Sequence, residues 1–342
     1  MHFDFTDDQR EIKRTARELL AARSSLERVR AVAEGDGIYD AALWEELVGL
    51  GWTGIALPEE HGGVGLGVLE LAIVLEELGY AATPSRFLSN ALAAQLILGA
   101  GSDEQRARLL HGIAAGAQTG TVAFARDGVA ELVPDADSAR WIVLVEEGAA
   151  RLYDAATGEV RIDPRETIDP TRRYARVTVA DHTAGEPLEG DVAGGLDRAE
   201  TVLAAELTGL AQRALELTVA YVKERRQFGT PIGAFQAVSH RAAQMLLESE
   251  GARSAVWFAA WAADAEPASL PRAASIAKAA AADAGRTVTA AAIQLHGGIG
   301  FTWEADVHWL YKRAQLDAAL LGGARRHRAA LAGLAAARVA GT

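Results

Sequence analysis

The hydrophobic period of this chain changes twice, and those two changes constrain its fold more than any single motif. In the first third, apolar residues recur at helical spacing. Thr6-Asp7-Asp8-Gln9 opens a segment that carries Ile12, Ala16, Leu19 and Leu20 on one side, with Thr6 placed to cap its amino end. Further helical stretches run over Asp40 to Leu50, Val68 to Leu78, Pro84 to Leu98 and Asp103 to Ala114. Between them, Gly54-Ile55-Ala56-Leu57-Pro58-Glu59-Glu60-His61-Gly62-Gly63 reads as a structured turn, because glycine and proline punctuate it.

From about Thr119 the period shortens. Thr121-Val122-Ala123-Phe124, Arg140-Trp141-Ile142-Val143-Leu144-Val145 and Arg176-Val177-Thr178-Val179 read as strands. After Gly194-Gly195 helical spacing returns over Asp197 to Gln227, Phe235 to Ala263, Pro271 to Leu295, Glu304 to Leu321 and Arg325 to Val339. The pattern predicts a mainly α protein with a small β domain: a helical N-terminal domain over 1–117, a short β domain over 118–193 and a C-terminal helical bundle over 194–342. Alanine-rich faces suit such a bundle, because alanine loses no side-chain entropy in a helix and lets neighbours approach closely.

Composition narrows the function. The net charge of -12, from 34 Lys and Arg against 46 Asp and Glu, repels nucleic acid and anionic membranes, while a local basic cluster can still take a phosphate-bearing ligand. The absence of cysteine excludes disulfides, thiolate chemistry and cysteine-ligated metal. Met1-His2-Phe3-Asp4-Phe5 lacks the basic and apolar regions of a signal peptide, and no apolar run reaches membrane-spanning length, so a cytoplasmic location is expected. His61, His182, His296 and His308 have no ligand spacing, and no metal site is expected. Nucleophile elbows, Walker motifs and a strand-borne Gly-x-Gly-x-x-Gly are missing, which weakens hydrolase, triphosphatase and nicotinamide readings.

Two constellations remain. Tyr221-Val222-Lys223-Glu224-Arg225-Arg226-Gln227-Phe228-Gly229 closes a long helix with donors, an aromatic ring and a glycine; it fits a diphosphate, and equally a solvated basic helix end. Gln294-Leu295-His296-Gly297-Gly298-Ile299-Gly300-Phe301 offers close approach to backbone N–H groups, and equally a helix terminus and connector.

With these residues in view, the sequence resembles the acyl-CoA dehydrogenase superfamily over nearly its whole length. The matching pieces are Phe5-Thr6-Asp7-Asp8-Gln9, the segment Gly54 to Gly63, Arg225-Arg226-Gln227-Phe228-Gly229 with Phe235-Gln236, and Gln294 to Phe301. The resemblance implies FAD bound across a subunit contact. It gives Arg225 to the pyrophosphate, Phe228 to the adenine side, Gln236 close by, and Gln294, Gly297 and Gly298 to the adenosine and diphosphate from a neighbouring chain. It also implies removal of a proton α to a thioester and transfer of the β hydride to flavin, which no side chain can accept, with a flavoprotein as expected electron acceptor.

Three departures limit that implication. The family's glutamate base stands just before a glycine after the last Gly-rich motif, and here Ala319-Leu320-Leu321-Gly322-Gly323 places Leu321 there. Leucine cannot accept the proton. Other members, similar to isovaleryl-CoA dehydrogenase, carry the base early in the first helix of the C-terminal domain. The match over Leu203 to Gly209 puts Ala199 at that place and Glu200 one residue later, turned by about 100°; Glu206, two turns on, reads as a structural carboxylate. Finally, the family's Thr-Glu-Pro segment over the flavin ring has no equivalent between Ala114 and Val133.

These losses resemble the short, base-lacking subunit of actinobacterial heteromeric acyl-CoA dehydrogenases of sterol degradation. The expectation is a subunit of an FAD-dependent dehydrogenase of bulky, steroid-derived acyl-CoA thioesters, assembled with a base-bearing chain. The alternatives are a self-sufficient dehydrogenase using Glu200, and a structural partner with no flavin of its own.

Overall fold

A computed structural model describes residues 4–35, 39–181 and 184–340 of the chain. Met1–Phe3 and His182 lie outside the described residues.

Helix α1 (Asp7–Arg23) starts at Thr6, whose hydroxyl accepts from Gln9 N while the Gln9 side chain accepts from Thr6 N, so two otherwise orphaned donors are satisfied reciprocally. Helix α2 (Leu26–Glu34), capped by Ser25, is one that periodicity misses, because Val29 is its single fully buried residue. Helices α3 (Ala41–Gly49), α4 (Val68–Tyr80), α5 (Phe87–Ala100) and α6 (Asp103–Ala114) complete the N-terminal part. Tight turns over Trp52–Gly54 and Glu59–His61 join α3 to α4.

The β region holds seven strands among the described residues: β1 (Gly120–Phe124), β2 (Val129–Pro134), β3 (Trp141–Glu146), β4 (Ala149–Asp154), β5 (Val160–Arg165), β6 (Tyr174–Val179) and β7 (Glu186–Leu188). One sheet runs β1-β3-β4-β7, with β1 and β3 parallel; the other runs β2-β6-β5 and is antiparallel. Ala123, Val133, Ile142, Leu144, Tyr153 and Val177 fill the core of this domain. Strands β2, β4 and β5 escape the alternation test. Pro164, for example, argues against a central strand, and β5 lies at a sheet edge where proline is tolerated.

Helix α7 (Val192–Glu224) then runs 33 residues, about 50 Å at the helical rise. It is followed by α8 (Gln236–Ala265), α9 (Leu270–His296), α10 (Val307–Asp317) and α11 (Ala324–Ala340). No helix among the described residues is long and apolar enough to cross a membrane.

The long helix is the axis of the structure, packed against α9, α4, α5 and α8. A Cβ built on Gly209 would lie 1.9 Å from the Glu76 carbonyl oxygen, and one on Gly79 would lie 2.1 Å from that of Glu206. The backbones of α4 and α7 therefore touch directly, which only glycine allows. Asp264 of α8 accepts from Val68 N at 2.7 Å and caps the amino end of α4, tying the N-terminal part to the bundle.

The β region is fastened by buried charge. Arg172, between β5 and β6, donates to Asp317 Oδ1 and to Glu206 Oε1, each at 2.6 Å, and all three side chains are buried. Beside it, Arg313 donates to the carbonyls of Thr83 and Thr171, each at 2.8 Å, and faces Asp169 at 3.3 Å. Four segments of the chain, the α4–α5 connection, the β5–β6 connection, α7 and α10, thus converge on two guanidinium groups. Glu206, read from sequence as a structural carboxylate, serves as one here.

Arg172→Met would strip buried Asp317 of its ion-pair partner and leave buried Glu206 only the longer contact to Arg313 Nη1, at 3.7 Å. Chemical denaturation should register a loss of about 3–5 kcal/mol. A change below 1 kcal/mol would mean that the network does not hold the β region to the bundle.

Candidate functional site

The two motifs singled out in the sequence meet at one end of the bundle. The Tyr221 ring of α7 stacks on the His296 ring of α9 with centroids 4.4 Å apart, and its hydroxyl donates to the His296 carbonyl at 3.3 Å. His296 is otherwise structural: its Nδ1 lies 2.7 Å from the Ala292 carbonyl, and burial pushes its pKa below the ordinary value.

Beyond Tyr221, α7 stops because Arg225 is extended, and Arg226-Gln227 pairs with Thr230-Pro231 in a hairpin. Phe228 at the hairpin tip has φ +51° and is 93% exposed; its ring meets Phe235 edge-on at 6.3 Å. Arg225, Gln236, Gln294, Gly297 and Gly298 are all exposed, and the three side chains have no hydrogen-bond partner among the described residues. Nothing lies within 4 Å of a Cβ built at Gly229, Gly297 or Gly298.

This donor set comprises an unengaged guanidinium, two carboxamides, open glycine backbone and a bare aromatic ring. It suits an anionic ligand with a flat ring, as the diphosphate and adenine of FAD would be. Among the described residues, these groups are exposed rather than enclosed.

The second place is the turn after α10. A continuous helix through Leu321 was expected, but α10 ends at Asp317. Leu321 has φ +54° and Gly322 φ +92°, values that break the helix. Leu321 is buried. Lys278 of α9, fully buried, aims its ammonium at the carbonyls of Asp317 (3.4 Å), Ala318 (3.2 Å) and Gly322 (3.2 Å). Arg326 Nη1 donates to the Leu321 carbonyl, and His327 Nε2 lies 3.2 Å from that of Gly322.

Glu200 sits behind this turn. Its Oε1 accepts from Arg326 Nη1 at 3.1 Å, and its Oε2 is 3.6 Å from His327 Nδ1. Helix α7 begins at Val192, earlier than its pattern suggested, and is enclosed around Ala199 and Glu200 alike. A carboxylate displaced by one residue therefore still reaches the interior, where one guanidinium links it to Leu321.

Burial raises the Glu200 pKa from 4.5 to about 7, against the pull of Arg326. Burial also lowers Lys278 to about 8 and His327 to about 4, leaving the histidine neutral. Lys278, Arg326 and His327 were not singled out in the sequence. A lone lysine in the run Ser275-Ile276-Ala277-Lys278-Ala279-Ala280-Ala281-Ala282 was the available signal, because a cation in an otherwise apolar helix face needs a buried partner. Among the described residues, no group of His, Asp and Glu is arranged to hold a metal ion.

Comparison with known proteins adds to this geometry. The profile "Acyl-CoA dehydrogenase, N-terminal domain" matches residues 6–117 and "Acyl-CoA dehydrogenase, C-terminal domain" matches residues 191–333. The chain is 38% identical over 320 residues to acyl-CoA dehydrogenase IpdE2 of Mycolicibacterium smegmatis, covering 93% of this chain and 96% of that protein. A chain of a variant of the Tcur3481–Tcur3483 steroid ACAD superposes with a TM-score of 0.89 at 31% identity, over 98% of this chain and 99% of that one. The ChsE4–ChsE5 complex from Mycobacterium tuberculosis contains a chain with the same TM-score of 0.89 at 24% identity, over 98% of this chain and 99% of that one.

The raised pKa of Glu200 has a sign that denaturation at several pH values can read. A carboxyl whose folded pKa lies above its unfolded value stabilises fully below pH 4.5, and that contribution is lost as pH rises through about 7. Stability of the wild type relative to Glu200→Gln should therefore fall by up to about 3 kcal/mol across that window. A pH-independent difference would place Glu200 at its ordinary value.

Proposed function

This chain belongs to the acyl-CoA dehydrogenase family, and we propose that it works as one subunit of a heteromeric, FAD-dependent dehydrogenase of acyl-CoA thioesters whose catalytic base comes from a partner chain. The observation that carries the reading is the turn at Leu321. The residue at the family's base position is a buried leucine, and Lys278, Arg326 and His327 hold its backbone through main-chain carbonyls. A turn fixed in this way cannot bring another carboxylate into Leu321's place.

In this reading Arg225, Gln236, Gln294, Gly297 and Gly298 hold the diphosphate and adenosine of FAD, with Phe228 packed beside the adenine. Their unengaged donors and open backbone support that assignment. FAD, when bound, supplies the hydride acceptor that protein side chains lack. Leu321 keeps its side of the cleft apolar and proton-inert, and the partner's carboxylate removes the α proton. A flavoprotein takes the electrons onward. Likeness to a steroid ACAD and to the two-component ChsE4–ChsE5 complex supports both a bulky, steroid-derived acyl group and a hetero-oligomer.

One observation favours a second reading, self-sufficiency through Glu200. That carboxylate is buried, titrates near 7 and shares a guanidinium with the Leu321 carbonyl. Its ion pair with Arg326 argues against a free base.

The flavin spectrum of the chain alone, and of its complex with a base-bearing partner, should separate the readings. Anaerobic acyl-CoA should bleach the complex and leave the chain alone unbleached. Full bleaching by the chain alone, abolished in Glu200→Gln, would replace this proposal with the self-sufficient one. Arg225→Ala should weaken flavin retention by the complex about tenfold to a hundredfold at intact assembly. Unchanged flavin content would instead indicate a structural partner.

A further inference from the structure

Arg326 is anchored in a way that the turn does not require. One corner of its guanidinium, Nη1, serves both the Glu200 carboxylate and the Leu321 carbonyl. The opposite edge, Nε and Nη2, has no protein partner among the described residues, and the side chain is 49% exposed. Asp197, one turn before Glu200, makes no ion pair with it among the described residues; burial lifts that carboxyl to about 6.

The orientation of this arginine is fixed from three sides. Glu200 is buried and cannot follow a moving cation. The Phe124 ring at the end of β1 lies 5.2 Å from Arg326 Cζ, so the β region supplies a flat platform. Gly322 supplies the floor: a Cβ there would come within 2.5 Å of Arg326 Cδ and 2.8 Å of Nη1, so the arginine lies across a backbone that any side chain would block. An exposed arginine ordinarily loses much rotamer freedom when it binds an anion, and here that freedom is already gone.

We propose that Arg326 is a specificity residue that binds a carboxylate carried on the acyl group of the substrate. The Nε–Nη2 edge presents two parallel N–H donors, a spacing that matches the two oxygens of a carboxylate. The site lies between the β region and the bundle, beside Leu321. A carboxylate seated there would therefore belong to the acyl portion and not to the diphosphate end, which the exposed residues around Arg225 serve. The assignment rests on the acyl-CoA dehydrogenase reading and specifies the class of acyl group.

The test uses the complex of this chain with a base-bearing partner and two matched thioester pairs, adipoyl-CoA against hexanoyl-CoA and suberoyl-CoA against octanoyl-CoA, with binding measured by calorimetry. In the wild type the carboxylate-bearing member of at least one pair should bind about tenfold or more tightly than its plain counterpart, as expected for a paired, charge-assisted hydrogen bond. Arg326→Gln should bring that ratio close to one, and Arg326→Lys should recover only part of it, because an ammonium lacks the planar two-donor edge. Free adipate should compete with adipoyl-CoA in the wild type.

Equal affinities within both pairs in the wild type, or a preference that survives Arg326→Gln, would overturn the assignment while leaving the acyl-CoA reading intact. Failure of all four thioesters to bind would overturn the carboxylate assignment and leave the acyl-CoA reading to the flavin-bleaching test. The wild-type comparison stands without any variant, so a variant that fails to fold does not blunt it.

Discussion

Direct backbone contact between α4 and α7 sets the geometry on which everything else depends. Gly79 and Gly209 lie against the main chain of the facing helix, so the N-terminal part is pressed onto the bundle at a separation that no Cβ permits. With α4 seated this closely, Asp264 can reach the amino end of α4, and Glu206 on α7 can face Arg172 from the β region. The cost of burying those charges is offset only because each is paired, and pairing demands the registry that the helix contact enforces.

That registry brings distant residues to one turn. Glu200, Lys278, Leu321 and Arg326 come from α7, α9, the α10–α11 connection and α11, and they meet through hydrogen bonds to carbonyls that a continuous helix would have used internally. The turn therefore exists because the bundle supplies cations for its free carbonyls. Leu321 thus places a buried, apolar side chain on a turn that is fully tied down.

The opposite end of the bundle follows different physics. Arg225, Gln236, Gln294 and the glycines at 297 and 298 are exposed and unengaged, and Phe228 projects into solvent. Such a surface costs little to form and gains little within one chain. In the function proposed above, that surface would act on binding, when a ligand and a second subunit satisfied the donors and covered the ring.

Much of this was legible in the sequence. The two changes of hydrophobic period located the β insertion between helical regions, the Thr6 capping box marked where α1 begins, and the donor-rich and glycine-rich motifs identified the exposed end of the bundle. The family resemblance drew attention to Leu321, the position at which it implies a carboxylate. Those features are local, and local rules read them: periodicity, caps, and the backbone freedom of glycine.

What only the tertiary structure decided depends on contacts between residues far apart in the chain. Strand β5 carries a proline and passes as a strand only because it is an edge. The helical pattern runs on past Asp317, but α10 stops there because Lys278, nearly forty positions earlier, takes the carbonyls that the next turn would have used. Glu200 looked misplaced by one residue on a helix viewed alone, and its neighbours Arg326 and His327 could not be known until α11 folded back. Spacing along a chain determines which face of its own element a residue occupies; which charge it meets there is settled by packing.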